Sequence, residues 1–180
     1  MYHYLDDRKF LHHTRKLSGE IARRLCHYLK EYYGIGAKNL IPQNAGGSVD
    51  LDYNLEIVRC ENDNDCRCLK ERAKKAFNRC LQEYGLPDCE DSASSLTSKK
   101  IYFISGNHTG FSIDICITKR DVKGNYYRLI HEKTGWSIYD KYDWNKAPQS
   151  KELEKKVKYI KDHRKWESAR RQYLNVKNHI

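Results

Sequence analysis

The chain reads as an α+β (α/β two-layer) fold: a mixed β-sheet with packed helices and a short helical extension at its C-terminal end. Three observations carry that reading. Residues 7–33 repeat Phe10, Thr14, Leu17, Ile21, Leu25, Tyr28 and Tyr32 at three- and four-residue steps, the period of a helix with one buried face. Residues 49–58 and 111–118 instead alternate apolar side chains with others, the period of a strand with one face in the core. Helices alternate with strands early in the chain and a hairpin follows, so the class is α/β or α+β around a mixed sheet.

Arg and Lys fill the other face of the first helix, and Gly34 and Gly36 stop it. A short strand is expected at 39–43, then the Gly46-Gly47-Ser48 turn and the strand 49–58. The polar run 61–65 is a loop. A second helix over 69–84 places Leu69, Ala73, Ala76, Phe77, Cys80 and Leu81 on its apolar side, and Gly85-Leu86-Pro87 closes it. Residues 88–98 are polar and rich in turn formers. Strands at 100–105 and 111–118 are expected to form a hairpin about Gly106-Asn107-His108-Thr109-Gly110, and another strand follows at 125–132. From residue 150 the pattern is helical. Leu153, Val157 and Ile160 line one stripe, and Trp166, Ala169, Arg170 and Tyr173 a second, shorter one.

A length of 180 residues suits one domain, or one domain with a helical appendage; the expected division is 1–150 and a basic helical extension at 151–180. The hydrophobic fraction of 39% makes a lean core, so the 14 tyrosines share the apolar load. Lys plus Arg number 34 against 24 acidic residues, a formal charge of +10 that favours phosphate-rich partners. Residues 141–180 hold 12 Lys or Arg against 5 Asp or Glu, so +7 of that charge lies at the C-terminal end. No apolar run is long enough to span a bilayer and the polar N-terminus does not read as a secretion signal, so no membrane partner and a cytoplasmic location are expected. The seven cysteines (Cys26, Cys60, Cys66, Cys68, Cys80, Cys89, Cys116) form no regular framework and read as reduced thiols. The Cys66-x-Cys68 spacing is tighter than that of a usual zinc site, and Cys80 falls within a helical pattern.

The chemistry sits in the two alternating strands. Asp50 and Asp52 are two apart and point the same way, and Asp114 lies mid-strand between Ile113 and Ile115. Three carboxylates converging among apolar neighbours are costly unless a cation neutralises them, which argues for a divalent-metal site. Hard oxygen ligands suit Mg²⁺ or Mn²⁺, and two such ions suit in-line attack on phosphorus. Gly46 and Gly47 let the backbone approach phosphate oxygens, with amide hydrogens and the Ser48 hydroxyl as donors. The alternative is that Asp50 and Asp52 lie on the wet face of an edge strand while Asp114 takes a local hydrogen bond. Glu56, on the same face but further along, is expected to be an exposed surface acid rather than a distant ligand.

Gly47-Ser48 followed by Asp50-x-Asp52, with a third strand aspartate in Phe111-Ser112-Ile113-Asp114-Ile115-Cys116-Ile117 after an intervening helix and strand, resembles the nucleotidyltransferase superfamily that shares the polymerase-β catalytic fold. Residues 127–144 and the basic helices after them resemble the segment after the third aspartate in bacterial members related to oligoadenylate and cyclic-dinucleotide synthases. The resemblance covers roughly residues 38–150. It implies a sheet of that type and Mg²⁺-dependent transfer of a nucleoside monophosphate from an NTP to a hydroxyl, with release of pyrophosphate. It would make Asp50 and Asp52 ligands of both ions, and Asp114 a ligand and the proton acceptor on the attacking-hydroxyl side. One departure stands out: the family's Gly-Ser pair lies some ten residues before the paired aspartates, whereas here it abuts them. Either residues 43–47 supply the phosphate contacts differently, or triphosphate binding is weakened and catalysis lost, leaving a nucleotide- or nucleic-acid-binding module.

Other residues have two readings. His108 after a glycine turn also resembles the primase catalytic core, but a solvent-facing turn histidine is the plainer account. Lys100, with Lys99, Lys119 and Arg120, flanks the presumed site, either to meet a triphosphate or as ordinary edge charge. Arg128 and Lys133 have weaker claims. Tyr126, Tyr127, Trp136, Tyr139, Tyr142 and Trp144 offer a base-stacking surface or, more plainly, a wedge that packs the C-terminal helices. The basic residues 151–177 are candidates for tracking an RNA or DNA backbone, against a solvated face.

Overall fold

Asp7 starts the first helix of the computed structural model by accepting a hydrogen bond from the Phe10 amide at 3.0 Å, and helix α1 then runs Arg8–Tyr33. Its buried stripe is Phe10, Thr14, Ser18, Ile21, Ala22, Leu25 and Leu29, close to the expected one. Gly34 ends it at φ 63°, a left-handed conformation in which its amide satisfies the last carbonyls. The structure describes residues 7–45, 49–104 and 109–147 and, towards the C-terminus, 158–160, 162–163, 165, 167–169 and 171; for 39–45 and 49 it describes the backbone alone.

The remaining elements are β1 (Gly36–Ala45), β2 (Val49–Arg59), α2 (Cys66–Gln82), β3 (Glu90–Asp91), β4 (Leu96–Thr97), β5 (Phe111–Arg120), β6 (Tyr126–Glu132), a 3₁₀ turn (Ser137–Tyr139) and β7 (Lys141–Lys146). Asp65 caps α2 by accepting from the Cys68 amide. The result is a mixed α+β fold with the strand order β1-β2-β5-β4-β3, and with β6 beside β5 and β7 beside β6. β2 and β5 run parallel, while the other pairs are antiparallel. The outer edge of β5 is divided. β4 pairs with it at Asp114 and Ile115, and β6 pairs with it at Thr118 to Arg120.

Period two sorts the central strands cleanly. Leu51, Tyr53, Leu55 and Ile57 of β2 and Phe111, Ile113, Ile115 and Ile117 of β5 are all buried in the core cluster shared with α1 and α2. Each fully buried side chain of this kind contributes about 1.5–3 kcal/mol. Tyr53 is buried with its hydroxyl 2.7 Å from the Ser18 Oγ, so its polar tip is satisfied. The opposite face carries Asp50, Asp52, Asn54 and Glu56 beside Ser112, Asp114, Cys116 and Thr118.

Several expected elements differ. β1 is ten residues long rather than five, because it pairs with nearly the whole of β2. The turn-rich stretch 88–98 holds the two-residue strands β3 and β4, too short for any periodicity to register. The expected strand at 100–105 reduces, among the described residues, to a single antiparallel bridge, Ile101 to Phe111. At Gly110 a Cβ would lie 2.7 Å from the exposed Tyr102 ring, which would have to swing aside. β7 falls where only an aromatic cluster was expected. That cluster is no common wedge, since Trp136 and Tyr139 are exposed while Tyr142 and Trp144 pack against the core. All seven cysteines are free thiols. Among the described residues no helix is long and apolar enough to cross a membrane. His108, Trp166, Arg170, Tyr173 and residues 151–157 lie outside the described residues.

Candidate carboxylate site

The parallel pairing of β2 with β5 sets the geometry. Its register places Asp52 opposite Asp114 and Asp50 opposite Ser112. Side chains of aligned residues rise from the same face, so the three aspartates stand together on the face away from the helices. All three are partly buried.

Asp50 Oδ1 accepts a hydrogen bond from Ser112 Oγ at 2.5 Å. Asp114 Oδ1 is buried and accepts no hydrogen bond. Burial pushes the Asp52 carboxyl above the usual carboxylate range; the charges of Asp114 and Asp50 add to the rise, and Arg128 opposes it. Burial raises Asp114 as well, a hydrogen bond from Thr97 of β4 offsets part of this, and the charge of Asp50 adds to it. Asp52 and Asp114 therefore hold protons more tightly than ordinary aspartates. An unpartnered buried oxygen and mutually repelling hard-oxygen donors are what a divalent cation would relieve. Among the described residues, however, no three His, Cys, Asp or Glu side chains stand ready-grouped to hold a metal ion.

Glu56 corrects the expectation of an exposed acid. It is 4% exposed, with Lys38 Nζ 3.1 Å from Oε1, Arg120 Nε 3.3 Å from Oε2 and the Tyr126 hydroxyl 3.4 Å from Oε2. Six residues from Asp50 along β2 and held by cations from β1 and β5, it serves the sheet rather than the aspartates. Arg120 is thereby engaged, and Lys119 pairs with Asp63 at 2.8 Å over the Trp144 ring. Lys100 is exposed beside the Ile101 bridge. Gly46, Gly47 and Ser48 lie outside the described residues.

Arg128 had little sequence signal, since a lone arginine in a tyrosine-rich strand has no spacing to mark it. The β5–β6 register brings it opposite Thr118, onto the carboxylate face, with Nη2 3.0 Å from Cys116 Sγ. The second unforeseen cluster lies beyond β4, where Asp91 aligns through Leu96 with Ile115. Lys70 of α2 is 2% exposed and lies 2.7 Å from Asp91 Oδ1, and His131 bridges Asp91 (3.1 Å) and Asp140 (3.0 Å) while stacking on Tyr142.

No protein-family model and no curated protein matches the chain. Among solved structures it is similar to that of the Bradyrhizobium diazoefficiens CD-NTase CdnG in complex with GTP, at 15% identity and a TM-score of 0.41. The match covers 74% of this chain and 38% of that one, so the chain spans well under half the length of that protein.

Proposed function

We propose that the chain is a Mg²⁺- or Mn²⁺-dependent nucleotidyltransferase with a polymerase-β-like sheet, moving a nucleoside monophosphate from an NTP to a hydroxyl and releasing pyrophosphate. One observation carries the reading: the β2–β5 register puts Asp50, Asp52 and Asp114 on one face, with a buried, unpartnered oxygen on Asp114. Asp50, Asp52 and Asp114 would hold the metal, which when bound lowers the pKa of an attacking hydroxyl and offsets the triphosphate charge. Asp114, raised in pKa by burial, is the group suited to take the proton from that hydroxyl. Asp52 neighbours both of the others, Asp50 two residues away along β2 and Asp114 across the register, and a bound cation would favour its ionised form. Asp50 would join them with its carboxylate oriented by the hydrogen bond that Oδ1 accepts from Ser112 Oγ. Gly46, Gly47, Ser48 and Lys100 remain the proposed phosphate contacts.

Incubation with mixed NTPs and Mn²⁺ should release pyrophosphate, and Asp50→Asn with Asp52→Asn should abolish both the release and the calorimetric heat of Mn²⁺ binding. Mn²⁺ heat identical in wild type and double variant would remove the metal site from consideration. Silence across a broad acceptor panel would favour the second reading.

That second reading, a nucleic-acid-binding module, is favoured by α1. The helix holds seven Lys or Arg against two Glu. Arg8, Lys9, Arg15, Lys16, Arg23, Arg24 and Lys30 are all exposed. Arg8 and Lys9 stand in the first turn, where the helix dipole disfavours cations, so this placement is not the one that best stabilises the helix. The stripe from Arg8 to Lys30 is about 33 Å long, close to one turn of duplex. If it contacts phosphates, affinity for a short duplex should fall by about 0.9 in log–log slope per contact, and Arg15→Gln with Arg23→Gln should flatten that slope. A slope near zero leaves α1 a solvated face.

A further inference from the structure

Arg128 is half-buried on the carboxylate face, yet it makes no close ion pair among the described residues and acts on Asp52 only through its charge. Its guanidinium has five donors in a planar fork, and the acceptor it meets is the Cys116 thiol, Nη2 to Sγ at 3.0 Å. A thiol is a weak acceptor. The other cations of this face are engaged: Arg120 and Lys38 both serve Glu56, and Arg120 also stacks over the Tyr126 ring. Cys116 follows Asp114 by two residues on β5, so the guanidinium lies one side-chain row from Asp114 and Asp52. The nearby aspartates offset its charge at a distance, but its donors still lack a good acceptor, which an anion from outside the chain would supply. Planar, bidentate donation suits a phosphate as it does a carboxylate.

On the nucleotidyltransferase reading, we propose that Arg128 is a phosphate-positioning residue: its guanidinium leaves Cys116 and donates two hydrogen bonds to the polyphosphate of the incoming nucleotide, and to pyrophosphate after transfer. Cys116 then acts as a resting partner that is easily given up, because a neutral thiol holds an arginine only loosely. The arrangement separates two tasks on one face. The aspartates answer to the metal, and Arg128 answers to the phosphate chain.

The test titrates pyrophosphate with Mg²⁺ into the full chain and, separately, measures Mn²⁺ affinity by electron paramagnetic resonance. Arg128→Gln should weaken pyrophosphate about tenfold or more, the loss expected for a charged hydrogen-bonded pair. Arg128→Lys, a point charge without the fork, should fall between the two. Mn²⁺ affinity should be unchanged or higher in Arg128→Gln, since a cation beside Asp52 has been removed. Equal pyrophosphate affinity in wild type and Arg128→Gln, no binding by wild type, or a parallel loss of Mn²⁺ would overturn the proposal, the last because it marks a merely structural role. The underlying reading stands or falls elsewhere, on whether Asp52→Asn loses Mn²⁺.

Discussion

Lys70→Met should destabilise the protein by about 3 kcal/mol, because it strips the donor from a buried ion pair while keeping the side chain's length and apolar body. Lys70 is 2% exposed. Its ammonium lies 2.7 Å from Asp91 Oδ1, donates to the Ser92 carbonyl at 2.7 Å and lies 3.5 Å from that of Ala93. Removing one partner of such a pair costs about 3–5 kcal/mol; Asp91 keeps its contact with His131 and some solvent, which places the loss at the lower end. For a chain of this size that is a fall in Tm of about 6–12 °C. The pH dependence follows from Asp91. Burial pushes its carboxyl up, but the hydrogen bonds and charges of Lys70 and His131 outweigh burial and hold it below its ordinary value of 3.8. A depressed carboxylate contributes stability that is present above 3.8 and lost as pH falls through the folded value. The gap between wild type and Lys70→Met should therefore be full at pH 7 and narrow in acid. Urea unfolding followed by circular dichroism at pH 7 and pH 3 measures both. A loss at pH 7 under about 1 kcal/mol, the range of exposed pairs, would refute the argument, as would the absence of coupling in a cycle with Asp91→Asn.

Asp52→Asn should stabilise the metal-free protein. The raised carboxyl is accommodated below pH 3.8 and penalised as it ionises, so wild type should lose stability as pH climbs above 3.8 and the variant should lose less in thermal melts from pH 4 to 8. Phe77→Ala, at a fully buried position of α2, should cost about 3–5 kcal/mol in urea unfolding; a loss below 1 would mean the helix layer collapses around the vacancy. Glu56→Gln should cost about 1–3 kcal/mol by weakening the bonds from Lys38, Arg120 and Tyr126, with little change between 50 and 500 mM salt because the carboxylate is buried. Strong salt sensitivity would place Glu56 at the surface after all.

Elements long enough to repeat their pattern are legible in the sequence alone. Helix α1 runs through seven turns, and its apolar stripe from Phe10 to Leu29 announces both the helix and the face it buries. β2 and β5 alternate over ten residues or more, so the face shared by Asp50 and Asp52 follows from period two alone. Elements held by long-range pairing are not. β3 and β4 are two residues each and exist because the edge of β5 supplies partners. Residues 100–105 have strand-like composition, yet among the described residues that edge offers them one bridge, since β4 and β6 occupy other parts of it.

By itself, then, the sequence determined which residues alternate, which face of each long element is apolar, and that three aspartates had to be neutralised or solvated. Those are local properties, set by backbone period and side-chain polarity. Only the tertiary structure decided who stands beside whom. The parallel register of β2 on β5 sets Asp52 against Asp114, and a one-residue slip would have turned the two to opposite faces. The antiparallel register of β6 brings Arg128 to the carboxylates. Glu56 looked like one more acid in an acidic strand; Lys38 from β1 and Arg120 from β5, 18 and 64 residues away, made it a buried ion pair instead. Partners so distant in sequence leave no periodic trace, because their meeting depends on chain topology rather than on any local preference.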